Sequence, residues 1–151
     1  MKRLNFIYNF VLELFYAAMS LLGKVNRKAH LFTSGRKGLI KKINAEIDHS
    51  AEIIWVHCAS VGEFEQGRPL IEQYRKEHLD KKILITFFSP SGYELRKNYS
   101  QADWVYYLPI DTKRNAVAFL DAVKPTMALF IKYEYWYNYL QELKRRNIPT
   151  Y

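Results

Sequence analysis

The chain has 151 residues, 49% of them hydrophobic, which suffices to bury one core but not two of ordinary size, so a single domain is expected. Its lone cysteine, Cys58, excludes an internal disulfide and a thiolate zinc cluster, and fits a reducing, cytoplasmic setting. The formal charge of +8 points to an anionic partner, whether nucleic acid, a phosphorylated substrate or an acidic membrane surface.

The first element, LNFIYNFVLELFYAAMSLLG over 4–23, is rich in Phe, Leu and Tyr and carries only one charge, Glu13. Asn5, Asn9, Glu13 and Ser20 fall on or near one line at helical spacing, giving a helix with a narrow polar stripe and a wide apolar face. About 20 apolar residues can just span a bilayer. A central Glu costs about 2.5 kcal/mol or more there, which favours shallow insertion over spanning. No small-residue cleavage site follows, so a removed signal peptide is not expected. The alternative is a helix packed on the protein's own core. Lys24, Arg27, Lys28, Arg36, Lys37, Lys41 and Lys42 come next without an acidic residue among them, and that run would face anionic headgroups, which favours membrane contact. The expected organisation is an apolar anchoring helix over 1–28, a basic connector over 29–52 and an α/β domain over 53–151.

From Ile53 the chain alternates. Apolar runs IIWVHC, KILITFF, WVYYL and TMALFI read as strands, followed by helical patterns over 63–78, 91–99, 113–123 and 134–146. Pro90, Pro109, Pro125 and Pro149 fall at the junctions, and Ser89, Asp111 and Thr112 are candidate N-caps. Repeated βα units make a Rossmann-like twisted parallel sheet with flanking helices, and the closing IPTY reads as the opening of a fifth strand. Ligands of such sheets bind at the C-terminal ends of the strands. Three loops meet there: ASVGE after the first strand, SPSG after the second and KYEYW after the fourth. Ser89, Ser91 and the N–H groups near Gly92 could hold a phosphate or sugar oxygen, although the same four residues make an ordinary turn. Neither GxGxxG nor GxxxxGK[ST] occurs, which disfavours dinucleotide and P-loop chemistry.

Taken in order, these elements resemble the N-terminal domain of the Kdo transferases, glycosyltransferases that add 3-deoxy-D-manno-octulosonic acid to the lipid A precursor. The resemblance rests on the apolar N-terminus, GRKGL, SVGE at Ser60 to Glu63, ITFFSPSG at Ile85 to Gly92, YLPID at Tyr107 to Asp111, KP at Lys124 and Pro125, and EYWYN at Glu134 to Asn138. Where the family reads similarly to ETELWPN, this chain reads KYEYWYN: Lys132 replaces the first glutamate and Tyr137 the proline, while Glu134, Trp136 and Asn138 match.

The resemblance implies an inverting, metal-independent, cofactor-free enzyme of GT-B architecture at the cytoplasmic face of the inner membrane. Its N-terminal half binds the lipid A precursor and its C-terminal half binds CMP-Kdo; only the first half is expected here, inactive on its own, and no nucleic acid partner is implied. Glu63, Glu134 and Lys132 become the catalytic candidates. Ser60, Gly62, Arg68, Ser89, Ser91, Gly92, Trp136 and Asn138 become candidates for acceptor binding.

Inverting transfer needs a base to take the proton of the attacking hydroxyl, and a carboxylate suits that role. A helix N-terminus keeps Glu63 ionised but weakens it as a base, so burial or a like-charged neighbour would be needed to raise its pKa, and Glu134 is the candidate for that neighbour. The plain alternative for Glu63 is a first-turn glutamate stabilised by the helix dipole. For Glu134 and Lys132 it is a charged pair at a helix start, for Arg68 a solvated helix face, and for His57 a satisfied core histidine. Glu65 is expected to face solvent. Tyr133, Tyr135, Trp136, Tyr137 and Tyr139 read as partly core and partly a platform for acyl chain or sugar. A membrane-anchored module that binds an anionic lipid without catalysis is the rival from another class, and a nucleic-acid-binding α/β domain is suggested only by charge and aromatics.

Overall fold

The structure, a computed structural model, describes residues 2–132 and 134–151. In chain order the elements are α1 (Lys2–Leu22), α2 (Arg27–Ser34), α3 (Leu39–Glu46), β1 (Ile53–Cys58), α4 (Val61–Glu77), β2 (Lys82–Phe87), α5 (Pro90–Arg96), β3 (Trp104–Tyr107), α6 (Lys113–Val123), β4 (Met127–Phe130) and α7 (Tyr137–Arg145). The four strands are parallel in the order β3-β2-β1-β4, as the βα alternation predicts. Parallel strands covered on both faces read as continuous apolar runs, and β1 is buried along its whole length. IPTY does begin a fifth strand: Tyr151 N donates to Ala128 O at 3.1 Å and Phe130 N to Tyr151 O at 2.8 Å.

Alternation along β1 sorts side chains into two cores. Ile53 and Trp55 pack with α3, α6 and α7 through Ile43, Phe119, Tyr139 and Leu143. Ile54, Val56 and Cys58 pack on the other face with Phe64 and Ile71 of α4. Trp55 is fully buried with its ring 4.9 Å from Phe119 and 5.5 Å from Tyr139. Truncating such a side chain to alanine costs about 3–5 kcal/mol.

The stretch read as a basic connector contains two short helices. Asn26 caps α2 by accepting from Lys28 N and Ala29 N at 2.9 and 3.1 Å, and α3 turns Leu39 and Ile43 into the core. Arg36, counted in the basic run, is buried, leaving it no access to headgroups. Its guanidinium donates to the carbonyls of Phe32, Phe88 and Leu108 at 2.7–2.8 Å. It thereby ties α2 to the loops after β2 and β3. Gly35 precedes it because a Cβ there would lie 2.2 Å from the Tyr107 ring.

Helix α1 inverts the usual arrangement of a surface helix. Part of its polar stripe turns inward: Asn9 Oδ1 accepts from Lys113 N at 2.8 Å, and Tyr8 OH donates to Asp111 Oδ2 at 2.8 Å. Phe6, Ile7, Phe10, Val11, Leu14, Leu21 and Leu22 are exposed on the outer face. A contiguous apolar surface of this kind marks an interaction face. By length and composition Asn5–Leu22 is also apolar enough to cross a membrane.

Candidate active site

Backbone hydrogen bonds draw the strand-end loops together. Ser89 N donates to Ala59 O at 2.8 Å and Ile131 N to His57 O at 3.0 Å, so the ends of β2 and β4 are both tied to that of β1. Helix α4 starts at Val61, earlier than its periodicity predicts, with Ser60 at the N-cap in extended backbone. This places Gly62 and Glu63 in its first turn. A Cβ on Gly62 would meet nothing nearer than Ser60 Oγ at 3.6 Å, so the space over this turn is open.

Instead of capping the helix, the Ser60 hydroxyl donates to Glu63 Oε2. That bond holds Glu63 below the usual carboxylate range, with Lys132 acting in the same direction and partial burial opposing them. The expectation that Glu134 would raise Glu63 is therefore reversed. Glu134 itself is pushed up, by burial first and by the charge of Glu63 as well, while the Trp136 indole acts in the lowering sense. Two carboxylates at one sheet edge are thus driven apart in acidity, a pattern typical of acid–base sites. Lys132 reaches this group from the loop after β4, in left-handed backbone at φ 67°. Holding a non-glycine residue there costs on the order of 1 kcal/mol. The same irregular loop delays α7 to Tyr137, later than its pattern predicts.

His57 is not a satisfied core histidine. It is fully buried, its Nδ1 lies 2.9 Å from Thr86 Oγ1, its Nε2 has no hydrogen-bond partner, and Nε2 lies 4.0 Å from Glu134 Oε2. Burial lowers its pKa to about 3, so the ring is neutral. Trp136 stands at the N-cap of α7, with its indole N–H buried, near enough to Glu134 to favour the ionised carboxylate but without a well-formed hydrogen bond, and its ring 4.6 Å from Phe88 and 5.7 Å from His57.

The remaining candidates divide. Ser89 caps α5 by accepting from Gly92 N at 3.1 Å, and its Oγ lies 3.3 Å from that of exposed Ser91. The Gly92 N–H is therefore already engaged, and the glycine itself is required by packing, since a Cβ would meet Phe87 Cδ1 at 2.5 Å. Arg68 is not brought to the edge; it pairs along α4 with Glu65 and Glu72 at 3.4 and 3.9 Å. Glu65 is not simply solvated, because Arg96 donates to it at 2.5 Å. Asn138 is buried at a joint between helices, where its amide donates to Asp111 O at 2.5 Å and Asn9 Oδ1 at 3.3 Å. Of the two proposed caps for α6, Thr112 takes the role, through Asn115 N at 3.3 Å. Asp111 caps α7 from across the fold by accepting from Asn138 N and Tyr139 N at 3.1 Å each. Of the aromatic cluster, Tyr139 is core, Tyr137 stands edge-on to Tyr8 at 5.9 Å, Tyr135 is exposed, and Tyr133 lies outside the described residues.

Sequence reasoning missed His57 and Arg36. A histidine inside a strand and an arginine between two glycines were the available signals, but neither reveals its partners without the fold.

The fold is a Rossmann-like α/β domain whose strand C-terminal ends carry carboxylates instead of a nucleotide-binding glycine loop. The chain belongs to the 3-deoxy-D-manno-octulosonic-acid transferase (kdotransferase) family, whose model matches residues 32–151. It is 33% identical over 97 residues to a 3-deoxy-D-manno-octulosonic acid transferase of Haemophilus influenzae, covering 64% of this chain and 23% of that protein. An enzyme of the same description from Aquifex aeolicus is 34% identical over 84 residues, covering 55% of this chain and 23% of its own. A bifunctional glycosyltransferase/methyltransferase of Fusobacterium nucleatum is 33% identical over 99 residues, covering 64% of this chain and 15% of its own. The matched segments span less than a quarter of the length of these relatives.

Proposed function

We propose that this chain is the acceptor-binding half of a GT-B glycosyltransferase that moves Kdo from CMP-Kdo to the lipid A precursor with inversion, in lipopolysaccharide synthesis. The observation that carries the reading is the pair Glu63 and Glu134 on adjacent strand-end loops, with acidities displaced in opposite directions. Glu63 is the base. It is ionised, it lies over open space at a helix start, and the hydroxyl of Ser60 occupies the place that an acceptor hydroxyl would take against its Oε2. When the acceptor hydroxyl displaces Ser60, it donates to Glu63 in its turn, which aligns its proton for transfer to that carboxylate. The acceptor oxygen then attacks the anomeric carbon, the bond to the cytidine phosphate breaks, and the proton passes to Glu63. Ser60, Gly62, Ser91 and Trp136 line the acceptor side. CMP-Kdo is held by a separate C-terminal domain.

The test is radiolabelled Kdo transfer by a full-length chain carrying this segment. Glu63→Gln keeps the size and reach of the side chain but removes the basic oxygen, so turnover falls roughly 100-fold or more with acceptor binding retained. Glu65→Gln stays near wild type. Normal turnover by the Glu63 variant would move the role of base to Glu134.

The exposed apolar face of α1, followed by exposed Lys24, Arg27 and Lys28, supports a helix lying in the cytoplasmic leaflet with its polar stripe toward the domain. It equally fits a non-catalytic module that holds an anionic lipid. The chain is expected to pellet with anionic vesicles, and a variant with exposed Phe6, Phe10 and Leu14 changed to serine to stay in solution; equal partitioning would remove the anchor.

A further inference from the structure

We infer that His57 is a positioning residue for Glu134: Thr86 fixes the imidazole so that an Nε2–H faces the Glu134 carboxylate and aims it at the sheet edge. The inference rests on the reading above only in taking Glu134 to belong to the active site.

Donors and acceptors inside a dry core fix where the ring proton sits. Trp55, Thr86 and His57 are all fully buried. The indole of Trp55 can only donate, and it donates to Thr86 Oγ1 at 2.8 Å. That leaves the threonine hydroxyl with one proton and one free lone pair, and its other neighbour is His57 Nδ1 at 2.9 Å. If Nδ1 carried the ring proton and donated, the hydroxyl proton would be stranded in the core. The bare Nε2 lone pair would then point at a carboxylate oxygen 4.0 Å away. Both consequences are costly in a low-dielectric interior. If the hydroxyl donates to Nδ1, both Thr86 and Nδ1 are satisfied and the ring proton sits on Nε2, on the side of Glu134. Burial, and further out the cation of Arg36, keep a second proton off the ring, outweighing the Thr86 backbone, which favours it. Nε2 is among the buried polar atoms that lack a hydrogen-bond partner, and so is the indole nitrogen of Trp136. At 4.0 Å Nε2 lies beyond hydrogen-bond length of Glu134 Oε2, so the bond forms only when the carboxylate turns toward the ring. The carboxylate also feels Glu63, from the first turn of α4. A neutral donor behind Glu134 offsets that repulsion without placing a cation in the core.

The test reads the imidazole directly. In the uniformly 15N-labelled chain, held in detergent micelles at neutral pH, long-range proton–nitrogen spectra should show a protonated Nε2 and a bare Nδ1 for His57. A proton on Nδ1 overturns the proposal. A pair of variants supplies a second reading, followed by the 13C titration of Glu134. His57→Gln keeps a donor near the Nε2 position, so Glu134 should titrate close to wild type. His57→Asn keeps only the contact toward Thr86, and Glu134 should become up to about tenfold easier to protonate, the scale of one hydrogen bond to a charged group. Equal titration in the two variants also overturns it. If either variant fails to fold, the wild-type spectrum decides alone. None of these readouts involves Kdo transfer, so they stand or fall separately from the assignment of Glu63 as base.

Discussion

Glu63 and Asp111 both sit where a helix begins, yet their acidities move in opposite directions. Glu63 is partly exposed, takes one hydroxyl bond and is held below the ordinary range. Asp111 accepts from two backbone N–H groups and the Tyr8 hydroxyl, all of which favour its ionised form, and burial still pushes it up to about 6. The contrast shows that hydrogen bonds to a carboxylate do not by themselves set its charge. Loss of water can outweigh three of them. It also separates two roles that the sequence presents alike, since Asp111 joins α1 and α7 to the domain while Glu63 faces the open edge.

The comparison breaks most sharply under Asp111→Ala. That change strands Asn138 N–H, Tyr139 N–H and the Tyr8 hydroxyl, so urea unfolding should show a loss of about 3 kcal/mol, the scale of several unpaired buried donors. The pH dependence has a definite sign. The folded pKa of about 6 lies above the unfolded value near 4, so the native state binds the extra proton in between. The part of Asp111's contribution that is linked to its proton is therefore fully present below about pH 4 and lost as pH rises through about 6, while its hydrogen bonds remain. The alanine variant should lack this slope. Ser60→Ala acts on the other carboxylate and by less: Glu63 loses the bond that depresses it, and the acid limb of the transfer rate should move to higher pH by up to about one unit. An unmoved limb would show that the hydroxyl does not govern the base. Smallest of all, Glu63→Gln should leave unfolding within about 0.5 kcal/mol of wild type; a larger loss would make Glu63 structural, like Asp111.

Much of the fold was legible because the signals were local. Four apolar runs with helical patterns between them gave the parallel sheet, and Ser89 and Thr112 were readable as caps. Elements set by distant partners were not. Asp111 looked like a cap for the adjacent α6 but serves α7, and no periodicity connects positions so far apart. The α7 boundary was misplaced because Lys132 occupies left-handed backbone, which a lysine does not announce. Arg36 looked like one more surface cation, although three carbonyls from three segments enclose it. At the site, Glu63 of SVGE lies at one sheet edge with Lys132, Glu134 and Trp136 of KYEYWYN. The sign of the Glu63 shift depended on the orientation of the Ser60 hydroxyl, and the part played by His57 depended on Thr86 in a neighbouring strand. Neither is a property of spacing.

The central claim is that this sheet edge holds two carboxylates of unlike acidity, one ready to accept a proton and one biased toward keeping it. The most direct measurement is a 13C titration of the Glu63 and Glu134 carboxyls in the wild-type chain. The account predicts that Glu63 titrates below the ordinary glutamate range and Glu134 above it, with the gap narrowing in Ser60→Ala. Two superimposable curves, or Glu63 titrating above Glu134, would contradict it.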